Sequence, residues 1–208
     1  MSSAVLLLKP EDYYSQRNNQ VKPLSACMPT ARVMWYKGNE INFSWEISSF
    51  AQPEDYFMHL LNTPEAIAFC HKKYLWTTNR RDEQGNPLPD IPPNEVHGMY
   101  GSWLDEKVTG KRRSDFITSL TWESLLKYLD NGHVIMSAGE FPGTDGHAVD
   151  FIGFEPDSET YYIADPWGDF RLNYADVHGY AVPMTKSEFD RIITQFPDTT
   201  GKCGHVPI

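Results

Sequence analysis

The sequence of 208 residues contains few cysteines and no long apolar run. Its three cysteines, Cys27, Cys70 and Cys203, are an odd number at irregular spacing. This argues against a disulfide framework or a zinc site and favours a reducing compartment. The apolar run from Ala4 to Leu8 is too short for a signal peptide, and no stretch approaches the roughly 20 apolar residues of a membrane span. We therefore expect a protein made in the cytoplasm, with no membrane span, no metal and no cofactor.

Positive charge is also scarce. Lysine and arginine number 18 against 28 acidic residues, which gives a formal net charge of −10. Nucleic-acid binding needs basic patches that neutralise phosphates, so this balance argues against it. The one basic cluster, Lys111-Arg112-Arg113, is expected to be a solvated surface of a loop.

Composition and hydrophobic patterning indicate a single α+β domain over residues 1–208. Hydrophobic residues make up 40% of the chain and aromatic residues 13%, enough to build one core. Helices are predicted over 27–38, 53–61, 63–74 and 121–131, and from the capping box at Thr185. Strands are predicted over 133–138, 147–155 and 161–164, and near 170–172 and 180–182. Because helices prevail in the first half and strands in the second, we expect an antiparallel sheet.

One segment, residues 76–115, does not fit this pattern. It contains several glycines and the prolines Pro87, Pro89, Pro92 and Pro93. Prolines and glycines at this density argue against a long helix. We interpret the segment as an insertion or a long loop, which is either functional or a surface excursion.

Cys27 lies where the first helix is predicted to begin, with Pro29 in its first turn and Gly38 at its end. The free N–H groups and partial positive charge of a helix N-terminus stabilise a thiolate. Most free cysteines are small buried apolar residues, so Cys27 alone does not identify a nucleophile. It needs a base nearby.

His147 is the strongest candidate for that base. It follows a glycine-rich stretch that ends at Gly146 and opens an apolar strand. A histidine at the end of a strand is held firmly and stays reachable, which suits proton transfer. His133, which also precedes a predicted strand, is the nearest alternative.

Asp165 is the candidate for orienting that histidine. It follows the strand 161–164, and a hairpin turn near Asp157 would place residues around 165 opposite those around 149. A carboxylate beside the imidazole fixes its tautomer and orientation. Asp-Pro also favours a simple turn, and Asp150, within the strand, is a weaker candidate for the same role.

Acyl transfer further requires hydrogen-bond donors for the developing oxyanion. Gln16 and Gln20 both precede Cys27, and the backbone N–H of Cys27 itself would be a second donor. Spacing alone does not choose between the two glutamines.

Four short motifs together resemble a known family, the papain-like cysteine peptidases, in their bacteriocin-leader-processing branch with its bacterial and phage relatives. The motifs are Tyr14-Ser15-Gln16-Arg17-Asn18-Asn19, Cys27-Met28-Pro29-Thr30-Ala31, Gly146-His147-Ala148-Val149 and Tyr162-Ile163-Ala164-Asp165-Pro166-Trp167-Gly168. The resemblance implies a papain-like fold with the cysteine on an N-terminal helical part and the histidine and aspartate on a C-terminal sheet. It also implies Cys27 as nucleophile, His147 as base, Asp165 as orienting residue and Gln16 as oxyanion donor.

Two departures from the family pattern stand out. Met28 occupies a position where a glycine or a small polar residue is common, and the segment 76–115 lengthens the distance in sequence between Cys27 and His147. The resemblance implies a cysteine peptidase or amidase. Free-standing relatives often cut the peptides of peptidoglycan, so an endolysin released after permeabilisation of the host membrane is the expected setting. A peptidase or transglutaminase-type enzyme acting on a protein, and a non-catalytic binding module, are the alternatives.

Overall fold

An antiparallel sheet with helices on both faces forms the centre of the molecule. The computed structural model describes residues 4–66, 68–69, 93–144, 146–197 and 199–208, with backbone only for 93–99. The strands are β1 Val5–Leu6, β2 Ser114–Leu120, β3 Ile135–Gly139, β4 His147–Glu155, β5 Thr160–Ala164, β6 Val182–Met184 and β7 Lys202–Pro207. The helices are α1 Cys27–Gly38, α2 Pro53–Leu61, α3 Pro93–Thr109, α4 Trp122–Asp130 and α5 Lys186–Ile192.

The strands of this sheet lie in the order β2-β7-β3-β4-β5-β6, and β1 pairs with the end of β4. Gly139 at the end of β3 is paired with His147 at the start of β4, and Asp150 of β4 is paired with Ala164 at the end of β5. This register brings the start of β4 and the end of β5 to the same end of the sheet, where the two inner strands lie side by side. The predicted hairpin register is therefore confirmed.

Two apolar clusters cover the two faces of the sheet. On one face, Trp35 and Met34 of α1 pack with Ile152 of β4. On the other, Leu125 of α4 and Phe189 of α5 join the cluster that includes Phe151 and Ile163. Alternation along β4 supplies both faces, because successive side chains of a strand point to opposite sides. The predicted α+β class with an antiparallel sheet is confirmed.

A buried ion pair fastens α1 to α3. The guanidinium of Arg32 and the carboxylate of Asp105 are both fully buried and in direct contact. Asp105 also accepts hydrogen bonds from the Tyr36 hydroxyl at 2.6 Å and from the backbone N–H groups of Arg113 and Ser114. The helix that begins with Cys27 is thus held from behind by a charged network.

The largest correction concerns the segment 76–115, which we predicted to contain no long helix. Helix α3 covers Pro93–Thr109 within it. Pro93 is the first residue of that helix, where a missing N–H costs nothing, and no proline follows before Thr109. Gly101 allows close packing, because a Cβ there would lie 2.6 Å from the ring of His205. Residues 76–92 lie outside the described residues.

Smaller differences occur elsewhere. Residues Phe170–Leu172 form a 3₁₀ turn rather than the predicted strand, because Asp169 caps it by accepting a hydrogen bond from the N–H of Arg171. Strand β6 begins at Val182 and not at residue 180, and strands β1, β2 and β7 were not predicted. The third predicted helix is present at 64–66 and 68–69, and its remainder lies outside the described residues. In the part of the chain that the structure describes, no helix is long and apolar enough to cross a membrane.

Candidate active site

Cys27 is the first residue of α1, as predicted. Its side chain lines a cleft of about 540 Å³ and is partly exposed. The backbone N–H groups of Met28 and Ala148 both lie within hydrogen-bonding reach of the sulfur. The thiol therefore faces the first turn of its own helix on one side and the start of β4 on the other. Met28 itself packs against the apolar cluster on the α1 face of the sheet.

His147, the first residue of β4, lies directly beside that thiol. Only 4% of the residue is exposed, and its ring is packed edge to face against Phe141 and Tyr174. Its Nε2 atom lies 2.6 Å from Oδ1 of Asp165, which leaves Nδ1 as the ring nitrogen available to the Cys27 thiol. The aromatic packing fixes the plane of the imidazole between its two partners.

Asp165 follows the last residue of β5 and is completely buried. Its Oδ1 accepts hydrogen bonds from His147 and from the backbone N–H of Trp167, the latter at 2.8 Å. Its backbone is held as well, since its N–H donates to Gly179 and its carbonyl accepts from the Tyr13 hydroxyl. The Asp-Pro-Trp-Gly segment is therefore a turn, and this turn holds the carboxylate against the imidazole.

The three side chains form one electrostatic unit. Burial opposes ionisation of the Cys27 thiol, but the hydrogen bond and positive charge of His147 outweigh it, so the pKa of Cys27 is lowered. Burial likewise opposes protonation of His147, but its bonds to Asp165 and to Cys27 raise the pKa of the imidazole to about 9. The two shifts have the same origin and favour a thiolate–imidazolium pair at neutral pH.

Gln16 lines the same cleft as Cys27 and His147. The residue is buried, with 3% of its surface exposed. One N–H of its Nε2 donates to the carbonyl of Pro23 at 2.8 Å, and its backbone N–H donates to the carbonyl of Pro166 at 3.0 Å. The amide is thus fixed in place with a second N–H left to donate.

The alternative residues lie elsewhere. Gln20 is exposed, and its backbone N–H binds Asp55. His133 lies just before the start of β3, whereas His147 pairs with Gly139 at the other end of that strand. The two histidines are therefore about 20 Å apart along the strand direction. Asp150 is buried in β4 beside the charge of Arg32, and burial raises its pKa well above the ordinary value. None of these three lines the cleft.

Sequence reasoning missed part of the cleft wall and its support. Leu24 and Ser25 precede Cys27, and Gly143 and Thr144 face them from the loop before His147. Tyr13, whose hydroxyl accepts the N–H of Gly179 and donates to Asp165, ties the N-terminal segment to the turn. No pattern in the sequence identifies these residues, although Tyr13 stands directly before the motif that contains Gln16.

Within the described ranges, no group of three or more histidine, cysteine, aspartate or glutamate side chains could hold a metal ion. Of the cysteines, Cys203 is buried in β7 and donates a weak hydrogen bond to the carbonyl of Ala138. Cys70 lies outside the described residues.

Papain-like cysteine peptidases have a cysteine at the start of a helix. This cysteine lies against a histidine and an aspartate at the end of neighbouring antiparallel strands, as it does here. A family model described as the Peptidase_C39-like family matches residues 11–189. The chain belongs to this family, as the four sequence motifs predicted. A search of the curated proteins found no match.

Two solved structures are similar to the chain. A crystal structure described as a C39-like peptidase from Bacillus anthracis superposes with a TM-score of 0.53 at 11% identity, over 100% of this chain and 98% of that one. Xylellain, a cysteine protease from Xylella fastidiosa, has a TM-score of 0.45 at 14% identity, over 100% of this chain and 86% of the other. The first of these two similarities shows that the chain shares the fold of that structure.

Proposed function

We propose that this protein is a cysteine peptidase that hydrolyses an amide bond through a thioester on Cys27. The observation that carries the proposal is the continuous contact from the Cys27 thiol through His147 to Asp165 at the wall of an open cleft. A purely structural cysteine has no use for a buried imidazole whose other nitrogen is bound to a carboxylate. The burial of His147 and Asp165 is compensated by their contacts with each other, with Cys27 and with backbone groups.

The reaction proceeds in two steps. The thiolate of Cys27 attacks the substrate carbonyl carbon, and the developing oxyanion accepts hydrogen bonds from Gln16 Nε2 and the backbone N–H of Cys27. The imidazolium of His147 gives its Nδ1 proton to the leaving amine as the C–N bond breaks, which leaves a thioester. Water then attacks the thioester, His147 accepts its proton, and cleavage of the C–S bond releases the carboxylic acid and restores the thiolate.

We further propose a peptide of peptidoglycan as the substrate, cut by an endolysin-like enzyme after permeabilisation of the membrane. Gly143, Thr144 and Gly146 leave room beside the thiol for a backbone that carries small side chains, such as alanine or glycine. Among the residues that the structure describes, those that line the cleft bear no charge other than that of the Cys27–His147 pair. Recognition is therefore expected to depend on shape and backbone hydrogen bonds rather than on ion pairs.

Incubation with purified peptidoglycan from several bacteria tests both the peptidase activity and the proposed substrate. We expect the wild-type protein to release fragments whose masses identify one cleaved amide bond. Cys27→Ala should release none while it stays folded by circular dichroism. Cys203→Ala is the matched control, because Cys203 lies in β7 outside the cleft, and it should cleave as the wild type does.

The outcomes distinguish failure of the peptidase proposal from failure of the peptidoglycan proposal. A folded Cys27→Ala variant with full activity would overturn the nucleophile. Cleavage of casein or another protein, with every peptidoglycan intact, would overturn the wall substrate and keep the peptidase. Formation of an amide product with an added amine would favour acyl transfer. If the wild-type protein cleaves no substrate but binds a peptide specifically, a non-catalytic binding module is favoured.

A further inference from the structure

The second carboxylate oxygen of Asp165 has no assigned role in the triad. Oδ1 is used twice, by His147 and by the N–H of Trp167, whereas Oδ2 is buried and has no hydrogen bond of normal geometry among the described residues. An ionised carboxylate with one oxygen in a dry environment is costly unless a donor is close. Such a donor is present.

The phenol of Tyr174 lies beside this carboxylate. Its hydroxyl is also buried without a hydrogen bond of normal geometry in the described part of the chain. The ring of Tyr174 packs against His147, whose Nε2 is bound to Asp165, and burial and then the charge of Asp165 raise the pKa of Tyr174. A hydroxyl with a raised pKa keeps its proton, so it is available to donate.

The backbone holds Tyr174 in an unusual conformation. Asn173 and Tyr174 have φ angles of 51° and 61°, in the left-handed region that a bulky residue rarely adopts. Such a backbone conformation is unfavourable for tyrosine and persists only where the surroundings fix it. Here the N–H of Tyr174 donates to the carbonyl of Asp169 at 2.9 Å, and the N–H of Asp169 donates to Asp176 at 2.9 Å.

The ring of Tyr174 also touches the base. Its centroid lies 6.3 Å from that of the His147 imidazole, at an interplanar angle of 81°. One side chain thus contacts the second residue of the triad with its ring and faces the third with its hydroxyl. An ordinary core tyrosine would not need a strained backbone to reach this position.

We infer that Tyr174 is a positioning residue that donates its hydroxyl proton in a hydrogen bond to Oδ2 of Asp165, extending the triad to four residues. The inference rests on the proposed function. With Oδ2 held by Tyr174 and Oδ1 by the N–H of Trp167, the carboxylate plane is fixed toward Nε2 of His147. The other groups whose charge acts on this site are Arg17, which lies near Tyr174, and Tyr13, whose hydroxyl donates to the backbone carbonyl of Asp165.

The test is the pH profile of Cys27 alkylation by iodoacetamide, measured by peptide mass analysis in the full chain. Tyr174→Phe keeps the ring and removes the hydroxyl. Without the second anchor Asp165 stabilises the imidazolium less, so the lower inflection of the profile should move up by about half a pH unit or more. The matched control is Tyr161→Phe, which removes a hydroxyl bonded to the carbonyl of Trp122 and should leave the profile unchanged.

A second arm tests whether Tyr174 acts through Asp165. In an Asp165→Ala background, Tyr174→Phe should produce no further shift, since the acceptor is gone. An equal shift in both backgrounds, or no shift in Tyr174→Phe alone, would overturn the positioning role. If wild-type Cys27 itself reacts with the profile of a free thiol, the activated pair fails, and the proposed function fails with it. A depressed wild-type profile that Tyr174→Phe does not alter defeats the tyrosine inference alone.

Discussion

At the scale of single residues, the account depends on how Cys27, His147 and Asp165 share charge. None of the three is unusual by itself, since free cysteines and lone histidines are common in cores. Their contact changes this, because the thiolate and the imidazolium stabilise each other at the wall of the cleft. The observable consequences are a thiol that loses its proton at a lower pH than a free cysteine and an imidazolium that keeps its proton to a higher pH than a free histidine.

This charge sharing predicts the pH dependence of hydrolysis. His147 has a pKa raised to about 9, so its imidazolium persists at neutral pH and is lost as the pH rises through that value. The pKa of Cys27 is lowered, so the thiolate is lost only on the acid side. We expect kcat/KM to be flat around pH 7 and to fall above about pH 9. A profile that still rises from pH 8 to 10, as for an ordinary thiol, would contradict the pair.

The proposed role of Gln16 as oxyanion donor gives a second prediction at this scale. Gln16→Ala should lower kcat by about 10²–10³-fold with a small change in KM, because the lost hydrogen bond forms mainly in the transition state. Gln20→Ala is the control, as Gln20 is exposed and lies outside the cleft, and it should leave both constants unchanged. Equal kinetics for the two variants would remove Gln16 from the mechanism.

At the scale of elements, the site depends on a turn that is held by backbone contacts. Gly179 lies so close to the turn that a Cβ on it would be 2.0 Å from the carbonyl oxygen of Asp165. Its own carbonyl accepts the N–H of Asp165, and its N–H donates to Tyr13. Position 179 thus has no room for a side chain unless the turn moves.

We therefore expect Gly179→Ala to displace Asp165 and to reduce kcat/KM by tenfold or more, because triad geometry tolerates little error. The comparison is Gly204→Ala in β7, where an added Cβ meets its nearest atom, a side-chain methyl of Leu120, at 3.2 Å. That variant should keep most of its activity. Activity assays and thermal unfolding on both proteins separate a displaced turn from a general loss of stability.

Elements with local signals could be predicted from the sequence, and elements without them could not. Helix α2 and strand β4 have the predicted bounds, because Pro53 and Gly146 mark their starts and their apolar patterns are regular. Helix α3 was not predicted because the four prolines of the segment 76–115 argue against a long helix, although one of them, Pro93, is the first residue of this helix. Strand β7 was missed because its pairing with β2 and β3 joins segments far apart in the sequence.

The site shows the same division. Cys27 and His147 are marked by a helix start and a strand start, and Gln16 by its motif. Spacing did not choose between Gln16 and Gln20, because both glutamines precede the cysteine at plausible distances, and the choice of Gln16 came from the resemblance of its motif to the family. Tyr174 had no local signal at all, since its proximity to Asp165 arises from a loop that closes through backbone hydrogen bonds.

At the scale of the whole molecule, the position of α1 on the sheet depends on the Arg32–Asp105 pair. Both side chains have 0% exposure, and this pair joins the helix of Cys27 to α3. A buried pair adds little stability over apolar packing, but loss of one partner leaves a buried charge without compensation. We therefore expect the pair to make the orientation of α1 specific.

Asp105→Ala should lower the free energy of unfolding by about 3–5 kcal/mol, because Arg32 then remains charged and unpaired in the core. Asp115→Ala, which breaks the exposed pair with Arg112, should change it by less than about 1 kcal/mol. Urea titration followed by tryptophan fluorescence measures both. A stable Asp105→Ala protein would show that apolar packing alone holds α1 in place.

The central claim, that His147 activates Cys27 as a nucleophile, is tested most directly by the rate of Cys27 alkylation at pH 6. An ordinary thiol with a pKa near 8.5 is less than about 1% ionised at that pH. We predict that iodoacetamide modifies Cys27 of the wild-type protein at least tenfold faster than it modifies a free cysteine, and that His147→Ala removes this advantage while His133→Ala keeps it. A wild-type rate equal to that of free cysteine, or a rate unchanged in His147→Ala, would contradict the account.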